Sequence, residues 1–146
     1  MSFTIDVNGS KAVMARLDRT IKAVGSPKKA LTETGEFLIQ EFKDNFPSEG
    51  SRLGSPWKKL KADTIREKQR LGYGSAGILV RTGKMMNAFE KEVSSFMVRV
   101  SNPTKYFKYH QLGTEFLPQR KMIVASEKLK GKIYEIFNLF IRNSIK

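Results

Sequence analysis

The chain has 146 residues, with 27 Lys and Arg against 14 Asp and Glu, a formal charge of +13, no Cys and one His. Such a length predicts one domain; the lack of Cys excludes disulfides, thiolate metal sites, iron–sulfur clusters and Cys nucleophiles, and the single His leaves little for metal or triad chemistry. With 40% hydrophobic residues the chain can bury a core, yet no run approaches the ~18 apolar residues that cross a bilayer, and the start Met1-Ser2-Phe3-Thr4-Ile5-Asp6 lacks the basic and apolar regions of an export signal, so a soluble, unexported product is expected.

Phe3, Ile5 and Val7 alternate with polar residues before Asn8-Gly9, predicting a short half-buried strand that ends in a turn. Ser10 then caps a helix whose Val13, Met14, Leu17, Ile21 and Val24 share one face, with Gly25 as its stop. Ser26-Pro27 starts a second helix that Pro47 ends. Its Leu31, Phe37, Leu38, Ile39, Phe42 and Phe46 cover a wider arc, so more than one partner surface is expected. Two Gly- and Ser-rich stretches, near 47–56 and 72–77, are expected to be loops that stay mobile until assembly. Between them Lys58 to Arg70 predicts a short basic helix, with Asp63 or Thr64 able to cap its second part. Thr82 is placed to cap another short helix, Lys84 to Phe89, with Gly83 permitting the tight turn into it. Phe96, Val98 and Val100 alternate with Met97 and Arg99 as a strand ending at Ser101-Asn102-Pro103. From Ser126 onward, Leu129, Ile133, Ile136, Phe137, Phe140, Ile141 and Ile145 form the apolar face of a last helix, opposite Lys128, Lys132, Glu135 and Arg142, with Leu139 off the stripe. The whole reads as one α+β domain over 1–146, a small antiparallel sheet packed with N-terminal and C-terminal helices.

Several motifs imitate chemical sites. Gly72-Tyr73-Gly74-Ser75-Ala76-Gly77 fits G-x-G-x-x-G, but a dinucleotide site needs a strand before it and a helix after it, and here a charged helical segment precedes and Ile78-Leu79-Val80 follows. A flexible loop is the better reading. Gly77 to Gly83-Lys84 resembles a phosphate loop, yet five residues instead of four separate the glycines, and Met85 replaces the magnesium-binding hydroxyl. Glu41-Phe42-Lys43 is the E-x-K half of a magnesium nuclease motif, with Asp18 as a distant carboxylate, but it lies in a helical segment where a solvated face accounts for it. His110 has only Glu115 as a nearby acid and fits a structural, hydrogen-bonding role better than a general base. Tyr106, Phe107 and Tyr109, interleaved with lysines, could stack single-stranded bases, although core or interface packing is preferred. No catalytic residue, metal ligand, cofactor or small-molecule substrate is assigned.

Spread evenly over the ~7,600 Å² expected for this mass, the charge would leave one net positive every ~24 Å, beyond the ~8 Å screening length. It is not spread evenly: residues 1–56 hold 8 basic and 7 acidic side chains, and residues 57–146 hold 19 and 7, a net +12. Lys58, Lys59, Lys61, Arg66 and Arg70 are the candidates to face phosphates, and a stand-alone nucleic-acid-binding module is the alternative function class.

The order of motifs from Trp57 onward resembles the virion-morphogenesis or tail-completion family of tailed bacteriophages, of the Mu-like and P2-like type. The carrying residues are Trp57-x-x-Leu60-x-x-x-Thr64-x-x-x-Lys68, then Ile78-Leu79-x-x-Thr82-Gly83, the strand at Val98 to Val100, Tyr106, Tyr109-His110-Gln111-x-Gly113, and Pro118-x-Arg120 before the last helix. Met85 stands where a Leu usually follows the Thr-Gly pair, and Gln119 separates a Pro and an Arg that are commonly adjacent. The resemblance implies a non-enzymatic virion component or assembly factor, found in the virion and in the host cytoplasm during assembly. It would complete the tail or the head–tail junction as a ring of identical subunits, contact other tail and neck proteins, and face DNA in the assembled lumen. Physical roles follow for the motif residues: Trp57 anchors the preceding loop to the core, Gly113 allows a backbone turn, and Arg120 clamps a carboxylate or a carbonyl cluster.

Overall fold

The computed structural model describes the backbone of Ser2–Asp6, positions 15, 18, 19 and 22, and residues 25–144. Strands β1 (Ser2–Asp6), β2 (Glu90–Val93) and β3 (Met97–Ser101) form an antiparallel sheet in the order β1-β3-β2. The helices with described bounds are α1 (Lys28–Asp44), α2 (Ala62–Arg70), α3 (Lys84–Asn87), α4 (Phe107–Leu112) and α5 (Glu127–Ser144). This is the single-domain α+β arrangement expected, and no described helix is long and apolar enough to cross a membrane. Positions 15, 18, 19 and 22 are helical and Gly25 has φ +83°; the apolar stripe of the 10–24 helix, Val7 and the Asn8-Gly9 turn lie outside the described residues.

β3 is the central strand, paired along both edges; Val98 and Val100 are buried while Arg99 points outward, close to its register partner Glu92 of β2. Phe96 falls in the hairpin turn before β3 and is 53% exposed. β2 was not expected. Its sequence, Glu90-Lys91-Glu92-Val93, has one apolar side chain, and such charge suits an edge strand, where it discourages pairing with other chains.

α1 crosses β2 and β3 and also packs on α5. Its wide apolar arc is used within one chain, with Leu31, Leu38, Phe42 and Phe46 fully buried and Phe37 and Ile39 resting partly buried on the core. The several partner surfaces expected for the arc are thus all within this chain and leave none of it for a second copy, whereas Leu139 on α5 stays 57% exposed. Four rings continue the core from α1: Trp57 meets Phe46 edge-on at 5.4 Å, Phe46 meets Phe89 at 6.3 Å, and Phe89 meets Phe107 at 5.8 Å.

Other boundaries move for physical reasons. α2 starts at Ala62, with Lys61 extended in front of it, so Lys58 to Lys61 is not helical and neither Asp63 nor Thr64 is a cap. α3 stops at Asn87, leaving Phe89 free to turn into the core. The Ser-rich stretch after Pro47 holds a 3-10 turn at Ser51–Leu53 and is a regular element there, because Ser48 Oγ accepts from Arg52 N at 3.1 Å and Leu53 is buried.

Candidate functional site

A cleft of about 460 Å³ opens beside α2, and six of the ten motif residues singled out in the sequence line it: Leu60, Thr64, Thr82, Gly83, Tyr106 and His110. They come from three separate stretches of chain. Lys68, Leu79, Val80, Arg81, Lys84 and Met85 complete much of the wall.

Lys68 builds that wall. Its ammonium donates to the carbonyls of Ala76 at 2.6 Å, Gly77 at 2.8 Å and Val80 at 3.3 Å, using all three protons. The glycine-rich loop therefore turns carbonyls toward a cation, the reverse of the N–H groups that cradle a pyrophosphate. Glu49 ties the same loop to the other Gly/Ser stretch by accepting from Ile78 N at 3.2 Å, and Leu79 beside it takes φ +61°, a strained backbone for a leucine. Lys68→Met is expected to cost about 2 kcal/mol, as charged hydrogen bonds do, and to speed amide exchange over 76–80. An unchanged urea midpoint would contradict that assignment.

Thr82 accepts from Lys84 N at 3.4 Å, and Gly83 itself is the N-cap of α3 at φ +75°. Met85, in its departure from the usual Leu, is buried, and its carbonyl accepts from Asn102 Nδ2 at 2.7 Å. Tyr106 and Tyr109 project outward while Phe107 fills the core, which divides the aromatic run between surface and interior.

The remaining motif residues fasten the segment 118–124 across the core. Trp57, buried as expected, donates from Nε1 to Lys121 O at 2.8 Å. Arg120, 5% exposed, clamps carbonyls: Nε donates to Lys58 O at 2.9 Å and Nη2 to Lys59 O at 3.5 Å. Gly113 takes φ +75° and ψ 169°, a region open essentially to glycine alone. Two residues to which the sequence assigned no role do as much. Gln111 Oε1 accepts from Met122 N at 2.8 Å and Ile123 N at 3.0 Å while its Nε2 donates to Ile123 O at 2.8 Å, so the side chain acts as a strand partner. Asn45 Nδ2 donates to Met122 O at 3.3 Å from a fully buried position. No local pattern marks either: Gln111 stands beside Lys108 and His110, and Asn45 follows Lys43 and Asp44 at the helix end.

His110 at the cleft and Glu41 on α1 have structural surroundings. Burial, and then the positive charge of Arg120, hold the His110 imidazole below the ordinary histidine range, and its Nδ1 is buried without a hydrogen-bond partner. Glu41, the carboxylate of the E-x-K motif, accepts from Arg52 Nε at 3.0 Å and Nη2 at 2.7 Å, with Lys128 at 3.4 Å; the Arg52 bonds hold it below the ordinary glutamate range. Among the described residues no three His, Asp or Glu side chains gather as a metal site. Both shifts are downward, so each group's contribution is present above its unfolded pKa and lost as acid protonates the unfolded chain first. Acid titration is expected to lower the urea midpoint in two steps, through the histidine range and then the glutamate range. His110→Gln should abolish the upper step and Glu41→Gln should shrink the lower one, to which Glu67 also contributes through its Arg70 bonds.

None of the five candidate phosphate-facing residues lines the cleft. Lys58, Lys59 and Lys61 are exposed, while Arg66 pairs with Asp63, and Arg70 with Glu67 at 2.6 Å. The unpaired part of that basic surface is thus the extended Lys58–Lys61 run.

Residues 8–136 match the family model of the phage virion morphogenesis family. No curated protein and no solved structure matched the chain.

Proposed function

Because the chain belongs to the phage virion morphogenesis family, we propose that it is a structural protein which completes the tail or joins it to the head, as a ring of identical subunits bound to neighbouring tail and neck proteins. The observation that carries this reading is the cleft itself: motif residues from three stretches converge on one open, largely apolar surface. Lys68 and Thr82 are engaged in shaping it. Lys68 is spent on loop carbonyls, Thr82 on an α3 amide, and His110 has no acid partner, so the surface is suited to docking and not to proton transfer.

The site of action on this reading is the virion, and the host cytoplasm while particles are built. Deleting the gene from its phage should leave heads and tails that accumulate separately in lysates viewed by electron microscopy, restored by the gene in trans. Normal joined particles would refute the proposal. The rival function, a stand-alone nucleic-acid binder, draws on the exposed Lys58, Lys59 and Lys61, and it requires the monomer to bind duplex or single-stranded DNA with affinity falling steeply with salt. Monomer that shows no such binding leaves the basic surface to an assembled lumen.

A further inference from the structure

The most exposed large apolar side chain among the described residues is Phe116, at 85%. It sits on a turn that is held in shape: Thr114 N donates to Leu117 O at 2.8 Å, and Thr114 Oγ1 accepts from Phe116 N at 3.2 Å and Leu117 N at 3.0 Å. The ends of the loop are tied to α4 through Arg120 N on His110 O at 2.8 Å and Gln119 Nε2 on Gln111 O at 3.2 Å. A braced phenyl group in water is a knob, and holding it rigid lowers the entropy lost when it binds.

The cleft offers the matching hole. Leu71 and Tyr106 on its wall are themselves 41% and 44% exposed, so its apolar lining is uncovered within one chain. Its size lies in the general range of ligand pockets, about 300–1,000 Å³, with room for a phenyl ring and the side chains beside it. Charge agrees as well: Glu115 precedes Phe116 on the knob, while the exposed Arg81 and Lys84 stand at the cleft.

We infer that the Glu115-Phe116-Leu117 turn of one subunit docks in the Leu71–Tyr106 cleft of the next copy, with Glu115 against Arg81 and Lys84. Knob and hole are different patches of one chain, so the contact is heterologous and propagates around a ring, the kind of assembly proposed above and on which this inference rests. One buried phenyl group does not hold two subunits alone, and it serves to set their register.

The sequence contains no cysteine, so introduced thiols are unique. Chains carrying only Glu115→Cys, mixed with chains carrying only Arg81→Cys and oxidised, should yield a disulfide heterodimer in excess of either homodimer. In sedimentation velocity, Phe116→Asp should weaken association at least tenfold, and on the order of a hundredfold, with the melting temperature unchanged. If wild-type chain assembles, Phe116→Asp assembles equally well and no heterodimer forms, the knob assignment is overturned and the ring reading stands. If wild-type chain stays monomeric at every concentration and no heterodimer forms, both fall.

Discussion

Replacing Gln111 with Leu is expected to destabilise the protein by about 4 kcal/mol or more, a large share of what a domain of this size usually has. The leucine fills nearly the same space but strands three buried backbone groups, Met122 N, Ile123 N and Ile123 O, that now bond the amide at 2.8–3.0 Å. Each unsatisfied group costs on the order of 1–3 kcal/mol, and total stability is roughly 5–15 kcal/mol. The loss is read from the urea midpoint, and hydrogen exchange adds a local signature, since the Met122 and Ile123 amides should lose protection before those of β3. A change under 1 kcal/mol would mean that water replaces the side chain without cost.

Gly50→Ala should rank with it, at about 3 kcal/mol or more. Gly50 takes φ +87°, and a Cβ there would stand 2.1 Å from Ser55 O and 2.5 Å from Trp57 Cδ1, distances that real contacts do not reach. Neither neighbour can yield cheaply, because Ser55 N donates to Gly50 O and Trp57 is fixed by Lys121. Gly54 is the internal control. It has φ +77° with nothing within 4 Å of its Cβ position, so Gly54→Ala should cost only about 1 kcal/mol of left-handed strain. Equal losses at the two positions would show that conformation alone, and not the Trp57 contact, makes Gly50 necessary.

What was legible in the sequence was whatever a repeating apolar pattern announces. α1 and α5 follow from 3.6-residue stripes and β3 from the Val98 and Val100 alternation, all of them packed on the core. β2 was hidden because an edge strand of this composition carries no such pattern. The false helical start at Lys58 has a sharper cause: Arg120 takes the carbonyls of Lys58 and Lys59, which a helix would have given to amides four residues on. The candidate site was legible as a set of residues but not as a place. Leu60, Thr82 and Tyr106 meet only because Lys68 folds the 76–80 loop back on α2, and that ammonium looked like one more surface charge. Gln111 was quoted for its position, yet its role depends on Met122 and Ile123, whose unpaired amides no local pattern advertises.

The sheet order sets a folding sequence. β2 and β3 are joined by a three-residue turn, whereas β1 meets β3 with Ser2 opposite Ser101. Closing the longer span costs roughly 2–3 kcal/mol more in chain entropy than closing the hairpin. The hairpin and the helix lying on it are thus the natural nucleus, and β1 docks last, after the chain through Ser101 has left the ribosome. A subunit whose first strand is late can expose the edge of β3 for part of its life, a window in which a sister chain's β1 competes for the same edge during high-level synthesis.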